Sequence, residues 1–355
     1  MKKRADSDAE FSGCLVAWQR RHGRHDLPWQ NTRDPYVIWV AEIMLQQTQV
    51  KTVIPYFGRF MERFPTVGAL ARADENAVLE AWSGLGYYAR GRNLHKAARI
   101  IAAEHGGVFP RDFCAVAALP GIGRSTASAI CAFAYHQRWA ILDGNVRRVL
   151  TRCFGIDGYP GDRKVEQRLW MLAESLLPGN KRNIADYTQA QMDLGATVCT
   201  RSRPLCALCP LVDACVANRE MRTADFPGRK PRKPVPARAT AMLILVSQNE
   251  VLLERRPPAG IWGGLWCFPE MPPGEDVCAC SRDRYGVVCE PGPELQPIVH
   301  GFTHFNLTID PRVVKVTRRS ARVEQPGSTW MALDDAGRAA IPVPVRRLLG
   351  LLRKF

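Results

Sequence analysis

Four cysteines fall in one short segment as Cys199-x6-Cys206-x2-Cys209-x5-Cys215. Thiols so close in sequence can converge on one metal centre. Structural zinc usually takes its cysteines as two close pairs split by a longer loop, so this compact run suits an iron–sulfur cluster better. On spacing alone zinc stays open. Arg201 and Arg203 lie between the first two cysteines, where a metal-held loop can offer guanidinium groups to phosphates. Glu42 sits in Tyr36-Val-Ile-Trp-Val-Ala-Glu-Ile-Met-Leu-Gln-Gln-Thr-Gln-Val50, apolar nearly all round. Desolvation there should raise its pKa and keep it protonated near neutrality, as a general acid requires; a buried ion pair is the plainer alternative. Asp143, in Leu142-Asp-Gly-Asn145, reads as the N-cap of a helix beginning near Asn145, whose N–H groups and dipole should hold it ionised. An acid beside a charge stabiliser is what glycosidic cleavage uses. Sequence alone does not bring the two together.

Two glycine-rich stretches add binding chemistry. Gly121 and Gly123 in Leu119-Pro-Gly-Ile-Gly123 precede a helical run from Arg124, a turn that can aim free N–H groups at a phosphate. An ordinary helix–helix connection is the commoner meaning of such a turn. Gly84-Leu-Gly-Tyr-Tyr-Ala-Arg-Gly-Arg-Asn93 mixes glycines, rings and arginines, which suits nucleic acid.

A helical frame must position these groups. Up to about Val216 apolar residues recur at three- and four-residue spacing. Asp34-Pro35 is a helix start, and it predicts a helix from Tyr36 to about Val50. Phe226–Pro236 is proline-rich and basic, composition for an extended, solvated linker. From Ala239 short β-rich runs follow, at 242–246, 251–253, 299–308, 313–317 and 329–333, with a closing amphipathic helix at 345–352. The expected organisation is a multidomain chain: an all-α domain at 1–221, a linker at 222–238 and an α+β domain at 239–355.

Composition bounds the partners. The chain of 355 residues is 46% hydrophobic and 23% charged, ordinary for a protein with a real core. Lys and Arg number 49 against 34 acidic residues, a net charge of +15 with a pI near 9.5, which suits a polyanionic partner. No apolar run approaches the roughly 20 residues that cross a bilayer. The basic start Met1-Lys2-Lys3-Arg4 leads into no apolar signal core, so a cytoplasmic protein is expected, nucleoid-associated in a bacterium. In a reducing compartment the 12 cysteines favour metal binding over disulfides.

Taken in order, Glu42-Ile-Met-Leu-Gln-Gln-Thr-Gln49, Gly84-Leu-Gly-Tyr-Tyr88, Leu119-Pro-Gly-Ile-Gly123, Leu142-Asp-Gly-Asn145 and the four-cysteine spacing resemble adenine DNA glycosylases of the MutY type. These belong to the helix-hairpin-helix, endonuclease III-like superfamily, and the resemblance runs from Leu27-Pro-Trp29 into the β-rich part. It implies one [4Fe-4S] cluster on Cys199, Cys206, Cys209 and Cys215 in place of zinc. It implies that Glu42 protonates a flipped adenine, that Asp143 stabilises the oxocarbenium-like sugar, and that Asn145 helps hold the site. Gln47, Thr48 and Tyr87 match positions that probe or wedge the pair around 8-oxoguanine. Trp29 and Gln189 match the adenine pocket. Relatives that also cut the strand carry a lysine just after the hairpin. Here that position is Ser125, whose hydroxyl cannot form an imine, so a monofunctional enzyme is expected.

The C-terminal part resembles Nudix, MutT-like domains through Arg256-Pro-Pro-Ala-Gly-Ile-Trp-Gly-Gly-Leu-Trp-Cys-Phe-Pro269. Residues 274–290 lack the Arg-Glu…Glu-Glu cluster that holds Mg²⁺ for hydrolysis, so this domain should read a base without hydrolysing nucleotides. In the family a Phe-Ser-His turn does so, and Phe302-Thr303-His304 takes its place, the threonine adding a methyl. Cys278, Cys280 and Cys289 read as free thiols rather than a second metal site. The implied partner is double-stranded DNA carrying adenine opposite 8-oxoguanine or guanine, bound by a monomer without a membrane. Protein partners leave no signal. The alternatives are an endonuclease III-like glycosylase for oxidised pyrimidines, which Ser125 and the C-terminal domain oppose, and a non-catalytic iron–sulfur redox sensor on DNA, which would need neither Glu42 nor Asp143.

Overall fold

The computed structural model describes residues 2–230, 234–272, 274–319 and 327–353. The chain forms two compact units, one of residues 1–72 and 93–232, the other of residues 73–92 and 233–355.

The first unit is helical around a core that includes Leu15, Val146, Leu150, Tyr187 and Leu194. Its helix Pro35–Leu45 starts as expected, with the Asp34 carboxylate accepting from Tyr36 N–H at 2.9 Å. Ile38, Trp39, Val40, Ala41, Ile43 and Met44 are all buried, so this helix is packed round most of its girth, with Glu42 half-buried where it opens on a cleft. It stops at Leu45 rather than at Val50. Gln46–Gln49 form a turn with Gln47 at φ +57°, and a new helix runs Val50–Arg63. The apolar pattern explains the break: Val53, Phe57 and Phe60 bury one face only, so the second helix needs its own axis.

Helices Phe113–Ala118 and Arg124–Tyr135 form the hairpin. Gly121 sits at φ +81°, and a Cβ there would come within 2.9 Å of the Asn93 Cβ, so only glycine fits. Helix Gly144–Phe154 is capped by Asp143 and closed by Gly155 at φ +59°. Helix Ile184–Asp193 ends in a five-residue π turn, Leu194–Val198, leading into the cysteine loop.

The linker differs from its expected extended form at its start. Phe226 is buried, and Arg152 Nε donates to the Thr223 and Phe226 carbonyls at 3.1 and 3.0 Å. A buried ring and a guanidinium fork outweigh the local proline content. Arg229, Lys230 and residues 234–236 are exposed, while residues 231–233 lie outside the described residues.

The second unit is built on a mixed sheet of β1 (Ala237–Ser247), β2 (Glu250–Arg255), β3 (Trp266–Cys267), β4 (Glu270–Met271), β5 (Val287–Pro291), β6 (Ile298–Gly301), β7 (Asn306–Arg319) and β8 (Ser328–Ala332). Its main path runs β3-β2-β1-β7-β5, with β1 and β7 parallel and the other pairs antiparallel. The expected strand 299–308 is in fact a hairpin, β6 and β7 joined by Phe302–Phe305. Phe302-Thr303-His304 therefore occupies a turn, with Phe302 N–H donating to the Phe305 carbonyl at 2.8 Å. Helix Val277–Tyr285 packs on this sheet, and the closing helix Val343–Leu352 packs against the short helix Leu333–Arg338. Residues 73–92, expected in the helical domain, also belong here.

Candidate active site

Glu42 lies on the apolar helix Pro35–Leu45, where nothing apolar can solvate a charge. Burial, followed by the charge of Asp143, pushes its carboxyl up to about 8. The two carboxyls therefore lie within electrostatic reach, although they are 101 positions apart in sequence. Both line one cleft of about 820 Å³, with Gln47, Thr48, Ser125, Asn145 and Arg148 on its walls. Of the groups expected to act on DNA, the helical unit thus gathers the two carboxyls, Asn145, the Gln47–Thr48 turn and the post-hairpin position.

Asp143 departs from expectation in one respect. Burial raises its carboxyl too, so the two groups are not driven in opposite directions. What differs is the opposition. Asp143 accepts from Val146 N–H at 2.8 Å, and the Asn145 N–H, Arg148 and Arg147 also favour its charged form. At Glu42 both burial and the charge of Asp143 act in the same direction, towards the protonated form. Asp143 is therefore the carboxyl that ionises first, and its negative charge helps keep Glu42 protonated.

The hairpin reaches this centre through hydrogen bonds. The Ser125 hydroxyl accepts from Leu142 N–H at 2.9 Å, fixing the residue before Asp143. Gln46 Nε2 donates to the Gly121 carbonyl and to Thr126 Oγ1, both at 3.3 Å. Gly123 is the N-cap of helix Arg124–Tyr135 without side-chain help, leaving its first N–H groups to a ligand.

A second cavity of about 440 Å³ shares Glu42 and carries Trp29 and Gln189, the two expected base-pocket residues. Two further residues here escaped the sequence reading. Arg24 lines both cavities and pairs with Asp193 at 2.5 Å, and Gln189 Nε2 donates to the same carboxylate at 3.0 Å. Asp193 is fully buried. Arg24 in a polar run and Asp193 in a mixed helix look like surface charges in sequence, and only the fold pairs them.

The cysteine loop follows the π turn. The charges of Cys199, Cys215 and Cys206 reach Cys209, so the loop brings the four thiols within electrostatic reach of one another. Among the described residues no three His, Cys, Asp or Glu groups are placed to hold a single ion. The wall is apolar, with Val198 and Leu211 buried beside it. Four soft sulfurs beside an apolar wall are the donor set and setting that suit a polynuclear iron–sulfur cluster. Two arginines of the Asp143 helix brace the loop. Arg152 Nη1 lies 3.4 Å from Cys199 Sγ and donates to the Thr200 carbonyl at 2.7 Å, while its Nη2 donates to Arg201 O at 3.1 Å. Arg148 donates to Cys199 O, Gly195 O and Asn145 Oδ1 at 2.8, 2.7 and 2.9 Å. Arg201 and Arg203 are exposed, and Arg201 lines a basic cleft with Arg147, Arg148, Arg229 and Lys230.

Tyr87 and the Phe302-Thr303-His304 turn fall in the other unit. Tyr87 is 48% exposed, as are Thr303 and His304 in substantial part, and Phe302 stacks on Phe305 with centroids 4.5 Å apart. Helix Val277–Tyr285 has no carboxylate cluster; its Arg284 pairs with Glu254 at 3.3 Å. No helix among the described residues is long and apolar enough to cross a membrane.

Comparison with known proteins agrees with this geometry. Residues 40–175 match the HhH-GPD superfamily of base excision DNA repair proteins, and residues 240–351 match the NUDIX domain. Adenine DNA glycosylase of Buchnera aphidicola (Acyrthosiphon pisum) is 36% identical over 97% of this chain and 98% of its own length. The human adenine DNA glycosylase is 32% identical over 95% of this chain and 73% of its own. A thermostable thymine-DNA glycosylase superposes with a TM-score of 0.55 at 29% identity, covering 61% of this chain and 98% of that one. An endonuclease III–DNA complex shares the fold, with a TM-score of 0.50 at 22% identity over 60% of this chain and 97% of that one. The chain belongs to the adenine DNA glycosylases, base excision repair enzymes that join a helix-hairpin-helix domain to a Nudix-like one.

Proposed function

We propose that the chain hydrolyses the N-glycosidic bond of adenine flipped out of a mispair with 8-oxoguanine or guanine, acting as a monofunctional glycosylase. Flipping is needed because the anomeric carbon is inaccessible in the stacked duplex. The observation that carries the reading is Glu42, held protonated to about 8 where a cavity roomy enough for a base meets the cleft holding Asp143. Glu42 gives its proton to the departing base, which lowers the barrier to C–N cleavage. Asp143, the first of the pair to ionise, faces the positive charge developing on the sugar. Asn145 and Arg148 hold the cap that presents it. Gly121, Gly123, Arg201 and Arg203 grip phosphates, Gln47, Thr48 and Tyr87 probe the opposite base, and Trp29 and Gln189 line the base cavity. Ser125, in place of a lysine nucleophile, leaves water to complete the reaction.

Cys199, Cys206, Cys209 and Cys215 would hold one [4Fe-4S] cluster, which supplies a structural pin for the loop between them. In the second unit the Phe302-Thr303-His304 turn offers a hydroxyl and an imidazole to the C8 carbonyl and N7 proton that distinguish 8-oxoguanine from guanine. The test is base release from duplexes carrying adenine opposite 8-oxoguanine, guanine or thymine. Release from the first two but not the third is expected. Excision of an oxidised pyrimidine with strand cleavage would overturn the reading.

A further inference from the structure

The turn Gly84–Tyr88 is braced from two sides. Gly84, Gly86 and Tyr87 all have positive φ, +103°, +72° and +48°, and Tyr87 reaches that region as a residue with a side chain. Such a conformation persists only where its surroundings impose it. Inside the turn, Trp82 Nε1 donates to the Gly86 carbonyl at 3.2 Å and Arg90 Nη2 to the Leu85 and Gly86 carbonyls, both at 3.2 Å. The Arg90 guanidinium lies 5.5 Å from the Tyr87 ring centroid.

The second brace comes from the C-terminal half of the same unit. The Tyr88 hydroxyl donates to the Ile341 carbonyl at 3.0 Å and accepts from Gly84 N–H at 3.4 Å. Arg346 Nη2 donates to Ser83 Oγ at 2.8 Å, Arg92 donates to the Gly263 carbonyl, and Arg255 pairs with Glu75 at 3.5 Å. These ties flank the turn on both sides. Tyr88 and Ile341 are buried, so the Tyr88 hydroxyl makes this link in an apolar setting on both ends. Tyr87 beside it is left half exposed.

We infer that Tyr88 is a positioning residue through which the Nudix-like part of the chain fixes the conformation in which Tyr87 is presented to the mispair. The inference rests on the reading that Tyr87 wedges the DNA. It gives the C-terminal part a second role besides reading the opposite base: it fixes the presentation of a residue that sequence order assigns to the other domain.

A double-mutant cycle on the full-length protein tests this. Affinity is measured for a duplex carrying 2′-fluoroadenosine opposite guanine, which resists cleavage because the fluorine disfavours the cationic sugar. Tyr88→Phe should weaken binding about two- to tenfold, the range expected for one neutral hydrogen bond. Arg346→Ala, at an exposed position where folding is not at stake, should act in the same direction, with Arg346→Lys partly restoring affinity. In a Tyr87→Ala background both effects should vanish, because the residue they position is gone. If Tyr87→Ala weakens binding but the other variants do nothing, or add to it independently, the clamp is wrong and the wedge stands. If Tyr87→Ala itself leaves affinity unchanged, wedge and clamp both fall.

Discussion

Replacing Glu42 with glutamine separates chemistry from stability in one variant. The native carboxyl titrates at about 8, against an ordinary value of 4.5. Below 4.5 native and unfolded chains both carry the proton, and Glu42 makes no pH-dependent contribution. Between the two values only the native state keeps it, so the unfolded state gains by ionising and stability falls as pH rises. Above 8 both states are ionised and the whole penalty is present. At 1.36 kcal/mol per unit, the ceiling on that penalty is about 5 kcal/mol. Water reaching Glu42 from the cleft reduces the realised amount. Glutamine keeps the shape and has no charge to bury. The difference in melting temperature, Glu42→Gln minus wild type, should therefore widen from pH 5 to pH 8 by several degrees and then level off. Single-turnover base release should fall by about a thousandfold below pH 7, where the wild-type acid is protonated, while affinity for mispaired DNA persists. A melting difference that stays flat across this range would refute the raised carboxyl. A variant that still releases base would refute the acid.

Wild-type base release should decline as pH rises through about 8, when Glu42 loses its proton, and again on the acid side as Asp143 gains one; a pH–rate profile under single-turnover conditions checks both limbs. Asp143→Asn should abolish release by removing the charge opposite the developing cation, which burst-free kinetics on an adenine–guanine duplex would show. Purified without oxygen, the protein should contain iron and acid-labile sulfide in about equal amounts, near four of each, and stoichiometric zinc would contradict this. Arg152→Ala should reduce iron content and destabilise the fold by several kcal/mol, since one buried guanidinium serves the Thr200, Arg201, Thr223 and Phe226 carbonyls; metal analysis and melting read the two effects. Arg201→Ala with Arg203→Ala should weaken binding to any duplex and flatten its salt dependence by about two phosphate contacts.

What could be read from the sequence was mostly local. The Asp34 and Asp143 caps need only a few neighbouring residues, and both are present. The cysteine spacing is likewise confined to one loop. The desolvation of Glu42 followed from a helix that is apolar nearly all round and buried over most of its girth. Long-range facts were not legible. Nothing near Asp143 in sequence announces that burial would outweigh its cap, because its walls come from elements far along the chain. Arg24 finds Asp193 across 169 residues. The helix break at Leu45 hides in an unbroken apolar run, since buried and one-sided helices overlap in composition there. The allegiance of residues 73–92 depends on Tyr88, Arg92 and Ser83 meeting Ile341, Gly263 and Arg346, which lie 253, 171 and 263 positions further along the chain.

The two cavities that meet at Glu42 bear on how the reaction ends. Among the described residues they share Glu42 and Arg24, and the remaining walls differ. In the proposed reaction the freed purine is left in the smaller void and the abasic strand in the larger, so the two products have separate exits. Departure of the base need not wait for the strand to dissociate. A small heterocycle lodged beside Trp29 and Gln189 should then inhibit without competing for the duplex. High DNA concentration would not relieve that inhibition, and the compound would slow catalysis by occupying the seat of the base alone.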